Sequence, residues 1–101
     1  MSYESIDPIL NAWAMRHGLH FASRYQDMEV RAIRFGTGKE YVGIGIDPPR
    51  HGYPIVIRVG IGRKRAKESE FIEYEAVIDN LDTILEQAYG KAKLWIQELS
   101  M

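Results

Sequence analysis

The chain has 101 residues, of which 46% are hydrophobic and 27% are charged. This length and composition predict a single globular domain with one core, spanning residues 1–101, and exclude a disordered chain. With 13 Lys and Arg residues against 14 Asp and Glu, the net charge of -1 gives no general attraction to nucleic acid or anionic lipid. The absence of cysteine excludes disulfides, thiolate zinc sites and cysteine nucleophiles.

The first eight residues have neither the basic start nor the apolar stretch of a signal peptide, so we expect none. No apolar run approaches the roughly 18 residues that a membrane span needs. Together with the lack of cysteine, these features predict a cytoplasmic protein with no membrane partner.

A short helix is predicted at the N-terminus. Asp7 resembles an N-cap followed by Pro8 at the first helical position, although the helix can also begin one turn earlier, at Ser5. Gly18 is predicted to end the helix in a left-handed conformation, with Leu19 making the accompanying apolar contact. The residues predicted to line one side of the helix are Ile6, Leu10, Trp13, Ala14 and His17.

The middle of the chain has the pattern of an antiparallel meander. Turn signals separate five candidate strands, over residues 19–25, 29–35, 41–47, 54–62 and 70–78. The connections are too short for helical crossovers, so neighbouring strands are expected to pair as hairpins.

The C-terminal segment has the clearest helical periodicity, with Asp79 or Asn80 as N-cap. Its apolar stripe consists of Leu81, Ile84, Leu85, Ala88, Ala92, Trp95, Ile96 and Leu99. The element order is therefore α-β-β-β-β-β-α. It predicts an α+β two-layer sandwich with both helices packed on one face of the sheet.

A tetrapeptide occurs twice in the predicted strands, as Val-Gly-Ile-Gly at 42–45 and again at 59–62. At the strand period of two, each copy places aliphatic side chains on one face and glycines on the other. Pairing Val42 with Val59, and Ile61 with Ile72, collects the aliphatic residues on one face. The same pairing predicts a bare stripe of small residues on the opposite face, where a ligand or partner can approach closely.

The predicted registers also align polar residues with these glycines. One row reads His20, Arg34, Gly43, Arg58 and Glu75, so the glycine lies between two arginines. Arg58 is then expected to pair with Glu75 across the strands. The candidate partner-binding residues of this face are His20, Arg34, Tyr41, Gly43, Gly45, Arg58, Gly60, Glu73 and Glu75.

Three functions are compatible with this pattern. The first is a protein-interaction domain without enzymatic activity, which uses the Gly/Ala/Val face to bind a second copy of itself or another protein, including as an inhibitor or immunity-type partner. The second is an anion-binding or small-molecule-binding domain centred on Arg34, Arg58 and His20, a class that includes enzymes. The third is nucleic-acid binding through a basic hairpin tip that consists of Arg63, Lys64, Arg65 and Lys67. The near-neutral net charge disfavours this function.

One long loop, residues 47–54, contains three prolines and is expected to be stiff. Arg50, His51 and Tyr53 are candidates for a recognition edge there, although a plain rigid hairpin loop gives the same pattern. The three histidines lack the spacing of metal ligands, and no serine lies in a nucleophile elbow. We therefore expect no metal and no cofactor, and a binding protein rather than an enzyme.

Overall fold

Two helices and a five-stranded sheet make up the fold, in a computed structural model that describes residues 3–36, 40–62 and 70–99. The elements are α1 (Asp7–Arg16), β1 (Ala22–Tyr25), β2 (Met28–Phe35), β3 (Tyr41–Ile46), β4 (Ile55–Gly62), β5 (Glu70–Ala76) and, after a 3₁₀ turn at Ile78–Asn80, α2 (Leu81–Leu99). The strand order is β1-β2-β3-β4-β5, and all neighbours are antiparallel. The predicted α+β sandwich with a meander sheet is confirmed.

The core lies between the helices and the aliphatic face of the sheet. From the repeat, Val42, Ile44, Val59 and Ile61 are at most 2% exposed. Opposite them, α2 packs against β3, β4 and β5 and contributes the fully buried residues Leu81, Leu85, Ala88 and Ala92. Burial of this apolar surface is the main favourable contribution to folding.

The ends of α1 follow the predictions in part. Gly18 has φ +66°, and the N–H of Leu19 donates to the carbonyl of Ala14 at 2.8 Å, which together form the predicted glycine C-cap. The N-cap, however, is Ile6 rather than Asp7. The Asp7 carboxylate instead accepts two hydrogen bonds from Arg31 of β2, at 2.8 and 2.9 Å. These bonds hold the pKa of Asp7 below its usual value.

The two helices are joined by one carboxylate. Glu86 Oε1 accepts a hydrogen bond from Trp13 Nε1 at 2.8 Å and another from His17 Nε2. The hydrogen bond from His17 is the largest cause of a lowered pKa at Glu86, followed by that from Trp13. Trp13 is fully buried, and its indole N–H has the partner that burial requires.

The strand registers differ from the predictions in β4 and β5. Between β2 and β3 the predicted alignment of Arg34 with Gly43 is confirmed, and in the same register Phe35 lies opposite Val42 and Ile33 opposite Ile44. Val42, however, lies opposite Ile61 instead of Val59, and Glu70 lies opposite Ile61 instead of Ile72. Each of these two registers is displaced by two residues, which leaves every side chain on its predicted face. The displacement changes only which residues are neighbours across the strands.

The N-terminal tyrosine, which the sequence pattern does not single out, is part of the core. Tyr3 is 4% exposed, and its hydroxyl donates to the carbonyl of Ile46 at 2.8 Å. The guanidinium of Arg31 lies 4.4 Å from its ring centroid. Burial is the main reason that the pKa of Tyr3 is raised. This contact fixes the segment before α1 to the end of β3.

Candidate interaction surface

The sheet face opposite the helices, here called the open face, is the candidate surface. Both helices pack on the aliphatic face, and within residues 3–36, 40–62 and 70–99 no element covers the open one. The strand alternation places on it Ala32, Arg34, Tyr41, Gly43, Gly45, Val56, Arg58, Gly60, Gly62, Phe71, Glu73 and Glu75. Of the predicted partner-binding residues, all except His20 lie on this face. His20 is exposed and precedes β1, outside the sheet.

The central row of the open face runs Arg34, Gly43, Gly60, Phe71 across strands β2 to β5. The prediction that Gly43 lies between two arginines is therefore wrong. Arg58 belongs to the next row, where it is opposite Gly45 and Glu73. The cause is the two-residue displacement of β4 and β5, which leaves Gly43 and Gly60 adjacent to each other.

Phe71 is the residue of this surface that the sequence interpretation missed. It is 59% exposed and lies beside Gly60 on the edge strand. The predicted register assigned that position to Glu73. An aromatic side chain at an exposed strand position was the available signal, since aromatic residues are enriched at protein interfaces.

Tyr41 covers one end of the glycine stripe. A Cβ placed on Gly62 would lie 2.3 Å from Tyr41 Cε1, so only glycine fits beneath the ring as it stands. The guanidinium of Arg34 lies 3.9 Å from the centroid of the same ring, within cation–π range. A Cβ placed on Gly45, which lies opposite Arg58 and two rows from Tyr41, would have no atom within 4 Å, so the face is open at that position. The surface thus has a low floor between raised side chains.

Arg58 is held by two carboxylates. Its Nε donates to Glu73 at 3.0 Å and its NH1 to Asp47 at 2.8 Å. Both bonds raise the pKa of Arg58, that with Glu73 more. The predicted partner, Glu75, lies opposite Val56 instead. Since Arg58 is neutralised and lies in a different row from Arg34, the two guanidiniums do not converge on one anion site.

The proline loop borders two shallow grooves. One, of about 320 Å³, lies at the end of the open face and includes Asp47, Arg50, Tyr53, Arg58 and Glu75 in its lining. The other, of about 400 Å³, lies between this loop and the end of β5 and again includes Arg50 and Tyr53. The structure thus brings together two of the three predicted loop residues. His51 is exposed and lines neither groove.

The predicted nucleic-acid tip, Arg63 to Lys67, lies outside the described residues. Within the described part of the chain, no group of three or more His, Asp or Glu side chains is arranged to hold a metal ion. In the same part, neither helix combines the length and apolarity of a membrane span.

Comparisons of the chain with protein-family models, with curated proteins and with solved structures found no match. Any functional conclusion therefore has to come from the surface itself.

Proposed function

We propose that this chain is a protein-interaction domain, without enzymatic activity, whose open face binds the open face of a second copy. The observation that carries the proposal is the row Arg34, Gly43, Gly60, Phe71. The row has two large side chains at its ends and two glycines at its centre. It is therefore complementary to the same row of a second copy running in the opposite direction.

A twofold axis that runs parallel to the strands, between β3 and β4, relates the two copies. It places the row of one copy against the reversed row of the other. Gly60 of one copy then faces Gly43 of the other, and the two sheets approach closely where neither has a side chain. Phe71 of one copy faces Arg34 of the other, which pairs an exposed aromatic ring with a guanidinium. Such an isologous contact is the commonest way in which identical chains associate.

The size of the contact predicts a weak dimer. Four overlapping strands, β2 to β5, spaced about 4.8 Å apart, with about seven residues each at a rise of about 3.3 Å, give about 440 Å² per copy. Both copies together bury about 900 Å² of flat projection, somewhat more when side-chain relief is included. This area is below the roughly 1,200 Å² at which stable specific interfaces begin and is typical of weak, transient ones. We therefore expect a dissociation constant in the micromolar range or weaker.

Sedimentation velocity tests the proposal over about 10 µM to 1 mM protein, a range that brackets the affinity expected of such an interface. The native chain is expected to show a concentration-dependent dimer. Gly43→Arg is expected to remain monomeric, because the new side chain fills the floor. The monomer accepts a Cβ at this position, where the nearest atom is the Ile33 carbonyl oxygen at 3.6 Å.

Gly90→Arg is the matched control, since Gly90 lies on α2 and a Cβ placed on it would have no atom within 4 Å outside its own helical turn. It should dimerise like the native chain. Phe71→Ala should weaken the dimer, whereas Leu94→Ala, which removes an exposed apolar side chain from α2, should not. A native chain that is monomeric throughout the range, or a Gly43→Arg variant that dimerises normally, contradicts the proposal.

The other two functions have less support. Anion binding at Arg34, Arg58 and His20 requires guanidiniums that Tyr41, Asp47 and Glu73 already engage. Chemical-shift changes at Arg34 and Arg58 on titration with phosphate are the measurement that would favour it. Nucleic-acid binding by residues 63–67 stays a prediction of the sequence, testable through the salt dependence of binding.

A further inference from the structure

The outer edge of β5 carries an inference that does not depend on the open face. β5 is an edge strand of seven residues, Glu70–Ala76, and contains no proline. Edge strands present unpaired N–H and C=O groups, which are a template for another strand. Proteins use such edges to bind extended peptides by adding one strand to the sheet.

The hydrogen-bond pattern identifies the groups that point outward. The N–H of Asp47 donates to the carbonyl of Val56 at 2.9 Å, so Val56 directs its backbone groups towards β3. Alternation along β4 then directs Ile57 towards β5, where it is opposite Tyr74. The backbone groups of Tyr74 therefore point to β4, and those of Glu73 and Glu75 point away from the sheet.

The same alternation makes Phe71, Glu73 and Glu75 the residues with outward N–H and C=O groups. No backbone hydrogen bond among the described residues uses these groups. The next outward N–H, that of Val77, donates to Asn80 Oδ1 at 2.8 Å, so the side chain of Asn80 ends the available edge. Three residues with six backbone groups remain for an added strand.

The side chains of β5 indicate which strand fits. On the open-face side the strand presents Glu73 and Glu75, and on the helix side it presents Ile72, which is 37% exposed, and the partly buried Tyr74. By sequence β5 has three glutamates and no Lys or Arg. An incoming strand with basic residues on one side and apolar residues on the other satisfies both sides of the edge.

A second copy of β5 fits this edge poorly. Antiparallel pairing about a twofold axis at Glu73 or Glu75 places that glutamate opposite itself, and an axis at Tyr74 places Glu73 opposite Glu75. An axis at Ile72 avoids like charges, but among the described outward-facing residues it pairs only Phe71 with Glu73. Like charges directly opposite each other in a sheet are destabilising. The glutamates therefore disfavour pairing between copies in the registers centred on Glu73, Tyr74 or Glu75, and they favour a basic partner along the whole edge.

We propose that the outer edge of β5 binds an extended segment of another protein, in which basic and apolar residues alternate. The backbone groups of Phe71, Glu73 and Glu75 pair with the incoming strand. The carboxylate of Glu75 selects its basic residues, supported by that of Glu73, which Arg58 also engages. Ile72 contacts its apolar ones. Affinity comes from the main chain and specificity from the alternating side chains.

A fluorescein-labelled heptapeptide in which Lys alternates with Val is the probe, and fluorescence anisotropy is the measurement. A heptapeptide in which Glu alternates with Val has the same apolar residues and is the control. We expect the Lys peptide to bind at least about tenfold more tightly at low salt, because it places cations beside the glutamates. Equal binding of both peptides, or binding of neither, overturns the proposal.

Two changes separate backbone pairing from charge. Glu75→Pro removes an outward N–H and is expected to weaken binding of the Lys peptide about tenfold or more. Glu75→Gln keeps that N–H and should weaken binding only about two- to fivefold. With the native protein, a Lys peptide N-methylated at alternate residues, on the amides that face β5, should lose binding to the same extent. This second experiment stands even if Glu75→Pro fails to fold.

The proposals for the open face and for the β5 edge can be disproved independently. Gly43→Arg should abolish the face-to-face dimer and leave binding of the Lys peptide unchanged. Suppose that the native chain self-associates, that the Glu75→Pro variant does not, and that the Lys peptide does not bind the native chain. The edge then pairs with a second copy, and the proposal of a basic partner strand is wrong.

Discussion

The two faces of this sheet are built from the same strands and have opposite properties. In β4, Ile57 is fully buried beneath the helices, whereas its neighbour Val56 is only partly buried on the open face. The helix-side face is filled with aliphatic side chains, and the open face has glycines, a cation–π pair and an ion-pair cluster. The contrast indicates that the buried face contributes most of the stability of the domain. On this basis we propose that the open face is available for recognition.

The largest effect is expected when two neighbouring residues of β4, one on each face, are replaced. Ile57→Ala is expected to lower the free energy of unfolding by about 2–5 kcal/mol, because it leaves a cavity in a close-packed core. Val56→Ala removes a partly exposed side chain and should cost about 1 kcal/mol or less. Urea unfolding followed by circular dichroism measures both. Similar losses for the two variants would mean that the open face is also part of the stabilising core.

A smaller difference is expected between two glycines of the open face. Gly45→Ala should raise the free energy of unfolding by about 0.5–1 kcal/mol, because alanine loses less chain entropy in a strand and finds open space there. Gly62→Ala should bring no such increase in the free energy of unfolding, because the new Cβ displaces the Tyr41 ring from Arg34. That contact is worth about 0.5–1 kcal/mol. Urea unfolding of both variants provides the comparison.

A double-mutant cycle isolates the cause of this difference. In a Tyr41→Ala background the ring is absent, so Gly62→Ala should become as favourable as Gly45→Ala. If Gly62→Ala still brings no increase in the free energy of unfolding in that background, the Tyr41 ring is not what requires glycine at this position.

The smallest effect concerns the helix side and depends on pH. The pKa of Glu86 is lowered from 4.5 by hydrogen bonds from His17 and Trp13. A carboxyl group whose pKa is depressed by folding contributes stability above its unfolded pKa and loses it as the pH falls through the folded value. Glu86→Gln should therefore destabilise the domain slightly near pH 7, by less than about 1 kcal/mol because the group is half exposed. The loss should shrink as the pH falls below about 4.5.

Thermal unfolding between pH 7 and pH 3 measures this effect. Asp7→Asn is the comparison on α1, since its pKa is also lowered, by Arg31. An identical pH dependence for the Glu86→Gln variant and the native chain would show that this carboxylate does not couple the helices through its charge.

Hydrophobic periodicity was sufficient to predict the architecture. The α-helical spacing of Leu81 to Ile96 and the alternation in the two Val-Gly-Ile-Gly repeats fix which side chains face the core, whatever the register. Gly18 as the end of α1 also followed from local chemistry, because few other residues adopt a positive φ readily. These features depend on neighbours in sequence, so the sequence alone was enough.

The candidate surface depended on contacts that periodicity does not encode. A displacement of two residues leaves the buried face unchanged, so the sequence could not distinguish Phe71 from Glu73 as the neighbour of Gly60. Asp7 was recognisable as a capping residue, yet Arg31 of a distant strand engages it. By itself the sequence determined which residues face the core and which face outward, because burial follows the strand and helix periods. Only the tertiary structure decided which outward-facing residues are neighbours, because registers that differ by two residues bury the same face and the hydrophobic pattern does not distinguish them.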